Sequence, residues 1–149
     1  MSYKGAEAPK TAESQSLRVE DYMARKLITF SPDQPIHDVV DGLMKHRISG
    51  APVVNAQGAL CGVISEGDCL KEVVKGMYDN HPTLSGLVSE YMAQNVITVT
   101  PDLNIFEAAK MFLDKRLRRF PVVKEGKLIG QISQKDVMKA VLNTKSSTW

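Results

Sequence analysis

The chain has 149 residues, 43% of them hydrophobic, and a formal net charge of +2. That length suits one domain of ordinary size with a core of its own, and so small a charge gives no argument for nucleic acid as a partner. No apolar run approaches the ~20 residues of a membrane-spanning helix, and two cysteines, Cys61 and Cys69, make no disulfide framework.

Residues 1–16 lack an apolar core and alternate Lys4, Glu7, Lys10 and Glu13. They read as a disordered leader and not as a signal peptide, which points to a cytoplasmic protein with both thiols reduced. Residues 19–23 form a short helical entry, 27–30 a strand, and Ser31-Pro32-Asp33 a turn. Pro35 fits a first helical turn, where its missing N–H costs nothing. Ile36, Val39, Val40, Leu43 and Met44 then recur at helical spacing and define one apolar face, and that helix ends before Gly50. Strands follow at 51–55 and 60–64, joined by the turn Asn55-Ala56-Gln57-Gly58. A second helix opens at Ser65, with Leu70, Val73 and Val74 on its buried side.

After a connection that contains His81-Pro82, the order recurs. An entry helix at 87–92 leads to a strand at 96–99 and a turn at Pro101. Asn104 caps a helix with Glu107 three residues on, a capping-box pattern. Ile105, Ala108, Ala109, Phe112 and Leu113 give its buried face. Strands at 120–123 and 128–132 lead to a final helix at 133–142, and 143–149 is a tail that is polar except for Trp149.

The recurrence is a duplication of 19–74 by 88–142. Val19-Glu20-Asp21-Tyr22-Met23-Ala24 answers Val88-Ser89-Glu90-Tyr91-Met92-Ala93. Ala51-Pro52-Val53-Val54 answers Phe120-Pro121-Val122-Val123, and Gly62-Val63-Ile64-Ser65-Glu66-Gly67-Asp68 answers Gly130-Gln131-Ile132-Ser133-Gln134-Lys135-Asp136. Two copies are too few for a solenoid, and each alone is too small to be comfortably stable. The expectation is an α/β (α+β) fold of two β-α-β-β-α repeats related by a pseudo-two-fold axis, each a small sheet packed on two helices.

The Ser-x-x-Asp at the end of each second strand is the candidate chemistry. A helix N-terminus offers unpaired N–H groups to phosphate, the serine hydroxyl adds a donor, and the aspartate can accept hydrogen bonds from a ribose diol. The same four residues also make a plain helix cap, and the two roles are compatible. Lys115-Arg116-Leu117-Arg118-Arg119 reads first as a contact to the phosphate of a small nucleotide, next as a solvated helix end, and last as a nucleic-acid contact, since no aromatics are interleaved for stacking. His37, His46 and His81 have no ligand spacing for a metal. Met23 and Met92 recur with the repeat and read as core. Gly58, Gly62, Gly126 and Gly130 form neither a P-loop nor a dinucleotide fingerprint, and no nucleophile–base pair points to an enzyme.

A Pro-Val-Val strand and a Gly-x-Ile-Ser-x-x-Asp type of junction, stated twice in register over residues 18–142, resemble a tandem pair of CBS domains, a Bateman module. The corresponding divisions are a leader 1–16, repeat one 17–78, a connection 79–86, repeat two 87–142 and a tail 143–149. The resemblance implies a non-catalytic regulatory module, acting as a homodimer on a protein partner in trans and binding AMP, ADP or ATP, with S-adenosylmethionine or NAD as further options. It implies no catalytic cofactor and no metal. It also implies crossed clefts, in which the Ser-x-x-Asp of one copy takes ribose and phosphate and the other copy holds the base. The main cleft then takes Ser133 and Asp136 with Arg118 and Arg119, and Ile28, Thr29, Ile48, Ser49, Ala51 and Pro52 around the base. The second takes Ser65 and Asp68 with Ile97, Thr98, Leu117, Phe120 and Pro121. Ser49 and Gly50 stand where the other copy has Arg118 and Arg119, so the Asp136 cleft is expected to bind phosphate more tightly. The alternative is a ligand-free module that docks protein or nucleic acid through 115–119.

Overall fold

A computed structural model describes residues 17–79 and 84–148. The leader 1–16, the His81-Pro82 step and Trp149 lie outside the described residues. In chain order the elements are α1 (Val19–Tyr22), α2 (Ile36–His46), β1 (Gly50–Val54), β2 (Leu60–Ser65), α3 (Glu66–Tyr78), α4 (Val88–Tyr91), α5 (Ile105–Lys115), β3 (Arg119–Lys124), β4 (Lys127–Ser133) and α6 (Gln134–Thr148). The strands form two antiparallel hairpins, β1-β2 and β3-β4.

Each hairpin folds as its turn chemistry dictates. Asn55 Oδ1 accepts from Gln57 N at 2.9 Å and Ala59 N at 3.0 Å, a local turn that asparagine and aspartate favour. Gly58 and Gly126 take φ of 83° and 81°, the left-handed region a side chain resists. In register, Gly50 faces Ser65 and Pro52 faces Val63, with a bulge between Val53 and Val54. The strands expected at 27–30 and 96–99 shrink to single parallel bridges, Phe30 with Val53 and Val99 with Val122. In each, one residue exchanges two backbone bonds with the Pro-Val strand, such as Phe30 N to Pro52 O at 3.1 Å and Val54 N to Phe30 O at 2.9 Å. The prolines explain why the pairing goes no further, because each lacks an N–H to extend a ladder.

The described residues divide into two compact units whose limits cross those of the copies. A middle unit holds 27–96 and 125–128. A terminal unit holds 17–26, 97–124 and 129–148. Each copy's entry helix therefore joins the core of the other copy. Leu17, Val19 and Met23 are buried with Val99, Ile105, Phe112, Phe120 and Ile132, where the Phe112 and Phe120 rings stack at 4.4 Å. Val88 is buried with Phe30, Ile36, Val39, Leu43, Val53 and Ile64, and Tyr91 and Met92 pack against that cluster. Two glycines make room. Ala24 pairs with Gln131 and Ala93 with Val63, and a Cβ at Gly62 would sit 2.5 Å from Ala93 O, one at Gly130 2.6 Å from Met23 Sδ. Gly62 and Gly130 are thus close-approach positions.

Three helix faces differ from the periodic reading. Met44 and Leu113, expected in the core, are 75% and 81% exposed. Leu70, Val73 and Val74 of α3 are also exposed, and Asp68, Cys69, Glu72 and Gly76 face inward instead. The inward stripe of α3 is small or polar because the chain passes close by it at Gly86, whose N–H donates to Glu72 and where a Cβ would strike that carboxylate. Asn104 caps α5 by accepting from Phe106 N at 2.7 Å, without a reciprocal bond from Glu107. The last helix runs on to Thr148, so most of the expected tail is helical. Cys69 is buried, Cys61 only half so, and both are free thiols.

Candidate functional site

Both Ser-x-x-Asp segments close a strand and open a helix. In the middle unit Ser65 has extended backbone, φ −126° and ψ 170°. Its N–H donates to Asp68 Oδ2 at 2.9 Å, its hydroxyl to the same oxygen at 3.0 Å, and Asp68 N donates back to Ser65 Oγ at 3.3 Å. Lys71 Nζ lies 3.7 Å from Asp68 Oδ1. In the terminal unit Ser133 N donates to Asp136 Oδ2 at 2.9 Å and Asp136 N to Ser133 Oγ at 3.1 Å. Each is a reciprocal capping box, so capping is observed in both copies. Asp68 is buried and Asp136 half-buried. The first backbone N–H of each helix is taken by the segment before the Pro-Val strand. Glu66 N donates to Ser49 O at 2.9 Å, and Gln134 N to Arg118 O at 3.2 Å. Gln134 Nε2 also reaches Leu117 O at 2.9 Å.

Each unit therefore gathers one junction and the segment that leads into its strand. The terminal unit brings Leu117, Arg118, Arg119, Phe120 and Pro121 to Ser133 and Asp136, with Ile97 and Thr98 leading into the bridge at Val99. Arg118 is exposed and Arg119 half-buried; Phe120 and Pro121 are buried in β3. The middle unit brings Ile48, Ser49, Ala51 and Pro52 to Ser65 and Asp68, with Ile28 and Thr29 leading into the bridge at Phe30. Ala51 and Pro52 are buried, Ile28 and Ile48 half-buried, Ser49 and Thr29 exposed. Ile48 and Ser49 line an open groove of about 730 Å³ with Glu66, Cys69 and Leu70. Thr29 lines a separate groove of about 670 Å³ with Phe30, Val54 and Asn55. Each crossed cleft expected from sequence draws one half from each unit.

The two junctions share geometry and differ in charge. The middle one opens with Glu66, Gly67 and Asp68 beside uncharged Ser49 and Gly50. The terminal one opens with Gln134, Lys135 and Asp136 beside Arg118 and Arg119. Burial pushes the Cys69 thiol up, helped by the charges of Asp68 and Glu66, so it stays protonated beside the middle junction.

One buried charge escaped the sequence reading. Glu72 is 7% exposed, and its carboxylate accepts from Gly86 N at 2.5 Å and from the Tyr91 hydroxyl. That hydrogen bond first, and burial second, push the Tyr91 phenol up to about 12. The available signal was a glutamate four residues after Asp68, in step with the helix period, where the second copy has Ala140.

Among the described residues no group of three or more His, Cys, Asp or Glu side chains is placed to hold a metal ion, and no helix is long and apolar enough to cross a membrane. Comparison with known proteins agrees with the duplicated architecture. The uncharacterized protein MJ1426 of Methanocaldococcus jannaschii is 30% identical over 153 residues, which take in 83% of this chain and 90% of that protein. Against two longer relatives the chain spans 41% and 62% of their length. The crystal structure of CBSX2, a CBS-pair protein of Arabidopsis thaliana, in complex with AMP superposes with a TM-score of 0.74 at 29% identity, covering 86% of this chain and 98% of that one. The CBS domain pair of protein MJ0100, solved with 5'-methylthioadenosine and S-adenosyl-L-methionine, gives 0.65 at 26% identity and covers 86% and 97%. The CBS domain family model matches residues 19–75 and 88–143. A duplicated hairpin-and-junction fold, matched twice in this way over most of its length, belongs to the CBS domain family.

Proposed function

We propose that this CBS pair is a non-catalytic regulatory module that binds an adenine nucleotide and relays its occupancy to a protein partner. The observation that carries the reading is the terminal junction. There a helix N-terminus, the Ser133 hydroxyl and the Asp136 carboxylate stand beside Arg118 and Arg119. Aspartate suits a ribose diol, and a guanidinium fork suits phosphate oxygens. AMP in CBSX2, and methylthioadenosine with S-adenosylmethionine in MJ0100, support an adenosyl ligand. The charge difference makes the terminal junction the tighter phosphate site: Asp68 and Asp136 are common to both, but Glu66 repels an anion at the middle junction, whereas Arg118, Arg119 and Lys135 attract one at the terminal junction. Two free thiols fit a cytoplasmic setting.

The same reading includes a homodimer. Equivalent positions of the two copies leave large apolar side chains exposed: Met44 and Leu113, Leu70 and Met138, Val73 and Val141, Val74 and Leu142. Paired apolar faces of this kind suit an isologous contact.

Thermal melts with AMP, ADP, ATP, NAD and S-adenosylmethionine test the function. A ligand at about 100 times its Kd adds roughly 2.7 kcal/mol, a shift of a few degrees. Asp136→Ala is expected to weaken the binding by about 1–3 kcal/mol in calorimetry, and Arg118→Ala/Arg119→Ala to weaken AMP more than adenosine. No melt shift with any of the five at millimolar concentration overturns the nucleotide reading. The exposed run Lys115, Arg116, Leu117 and Arg118 then favours docking to protein or nucleic acid, and a steep salt dependence would mark the nucleic acid.

A further inference from the structure

Glu72 joins two parts of the chain that flank the connection between the copies. It lies on α3, before the connection, and its donors are the backbone N–H of Gly86, the last residue of the connection, and the hydroxyl of Tyr91 on α4, beyond it. All three belong to the middle unit. The approach is so close that a Cβ on Gly86 would strike the carboxylate, so the backbone itself is fitted to the acid. The walls beside it are polar, a small cavity of about 210 Å³ with Lys75, Asp79, Ser85 and Glu90 in its lining. Glu90 accepts from Leu87 N at 2.7 Å and so caps the same short helix.

The terminal unit lacks this arrangement. Ala140, Leu17 and Tyr22 hold the positions of Glu72, Gly86 and Tyr91. Ala140 and Leu17 are buried in the apolar cluster and Tyr22 packs against it. One entry helix is therefore held by apolar packing alone at these positions, and the other by a buried carboxylate as well. Apolar contact tolerates small slips, but a buried carboxylate that loses a donor bears the full cost of its desolvation. We propose that Glu72 is a one-sided latch that fastens the end of the connection to α3 and sets how readily residues 84–92 detach.

Amide hydrogen exchange on the full chain tests the latch. The wild type is expected to protect Gly86 N–H and the amides of α4. Tyr91→Phe, which conserves volume, and Glu72→Gln, which removes the charge, should each speed exchange across 84–92 by roughly tenfold or more. Exchange across α6 should not change. Tyr22→Phe, the matching change in the terminal unit, should leave the exchange of 17–24 unaltered. Two results overturn the proposal: unchanged exchange at Gly86 in Tyr91→Phe, or an equal acceleration of 84–92 and α6, which would mean a general loss of stability.

Discussion

Tyr91 is the residue whose titration reports on the fold. Its phenol is pushed up to about 12 by the hydrogen bond it donates to Glu72, against an ordinary value near ~10. A raised folded-state pKa means that the neutral phenol is the form the fold favours. Its stabilisation is full below pH ~10 and is lost as the pH rises from there to about 12. Tyr91 is expected to ionise late when phenolate absorbance is followed against pH. Tyr91→Phe should remove that late step. A late step that survives the substitution would assign it to another residue. Ser133 and Asp136 were legible in the sequence because a strand end, a serine and an acid three residues on leave a local signature. Glu72 was not, because its partners stand 14 and 19 residues away and one of them is a backbone N–H.

At the scale of elements, the hairpins were legible and the helix faces only partly. Turns at Gly58 and Gly126 follow from local chemistry, so their strands fall within a residue or two of expectation. Helix α3 carries two stripes: Leu70, Val73, Val74 and Met77 on one side, Cys69, Glu72 and Gly76 on the other. Periodicity finds the apolar stripe but does not say what covers it. Here the inward stripe is the less apolar one, because Gly86 brings backbone against it. The outward stripe is the proposed contact with a second copy. Val73→Glu together with Val141→Glu should convert a dimer to a monomer in sedimentation without unfolding it, since both side chains are exposed. A wild-type chain that sediments as a monomer at tens of micromolar would remove the dimer from the proposal.

At the scale of the molecule, the duplication was legible and the exchange of entry helices was not. Val19 and Val88 occupy matching places, as do Met23 and Met92, so either core would accept either set. Only the chain path decides, and pattern carries no information about it. The exchange predicts that 17–78 alone does not fold cooperatively, since Val88, Tyr91 and Met92 are missing from its core. A fragment of residues 27–96 should show a cooperative melt by circular dichroism where 17–78 shows none. Equal melts for the two would mean that the exchanged helix is dispensable.

The same exchange sets an order on vectorial synthesis. As the chain leaves the ribosome, Phe30 to Ile64 finds its last large core partners once Val88 to Met92 emerges, so the middle unit can consolidate before residues 97–124 and 129–148 of the terminal unit are made. Leu17, Val19 and Met23 come out before all of these and wait longest. Their partners include Val137 and Ala140, which emerge after nearly all of the middle unit. The earliest residues of this core thus close it last, and a ribosome that pauses past Met92 would carry most of the middle unit folded with Leu17, Val19 and Met23 still short of their partners, the state in which a holding chaperone has most to grip.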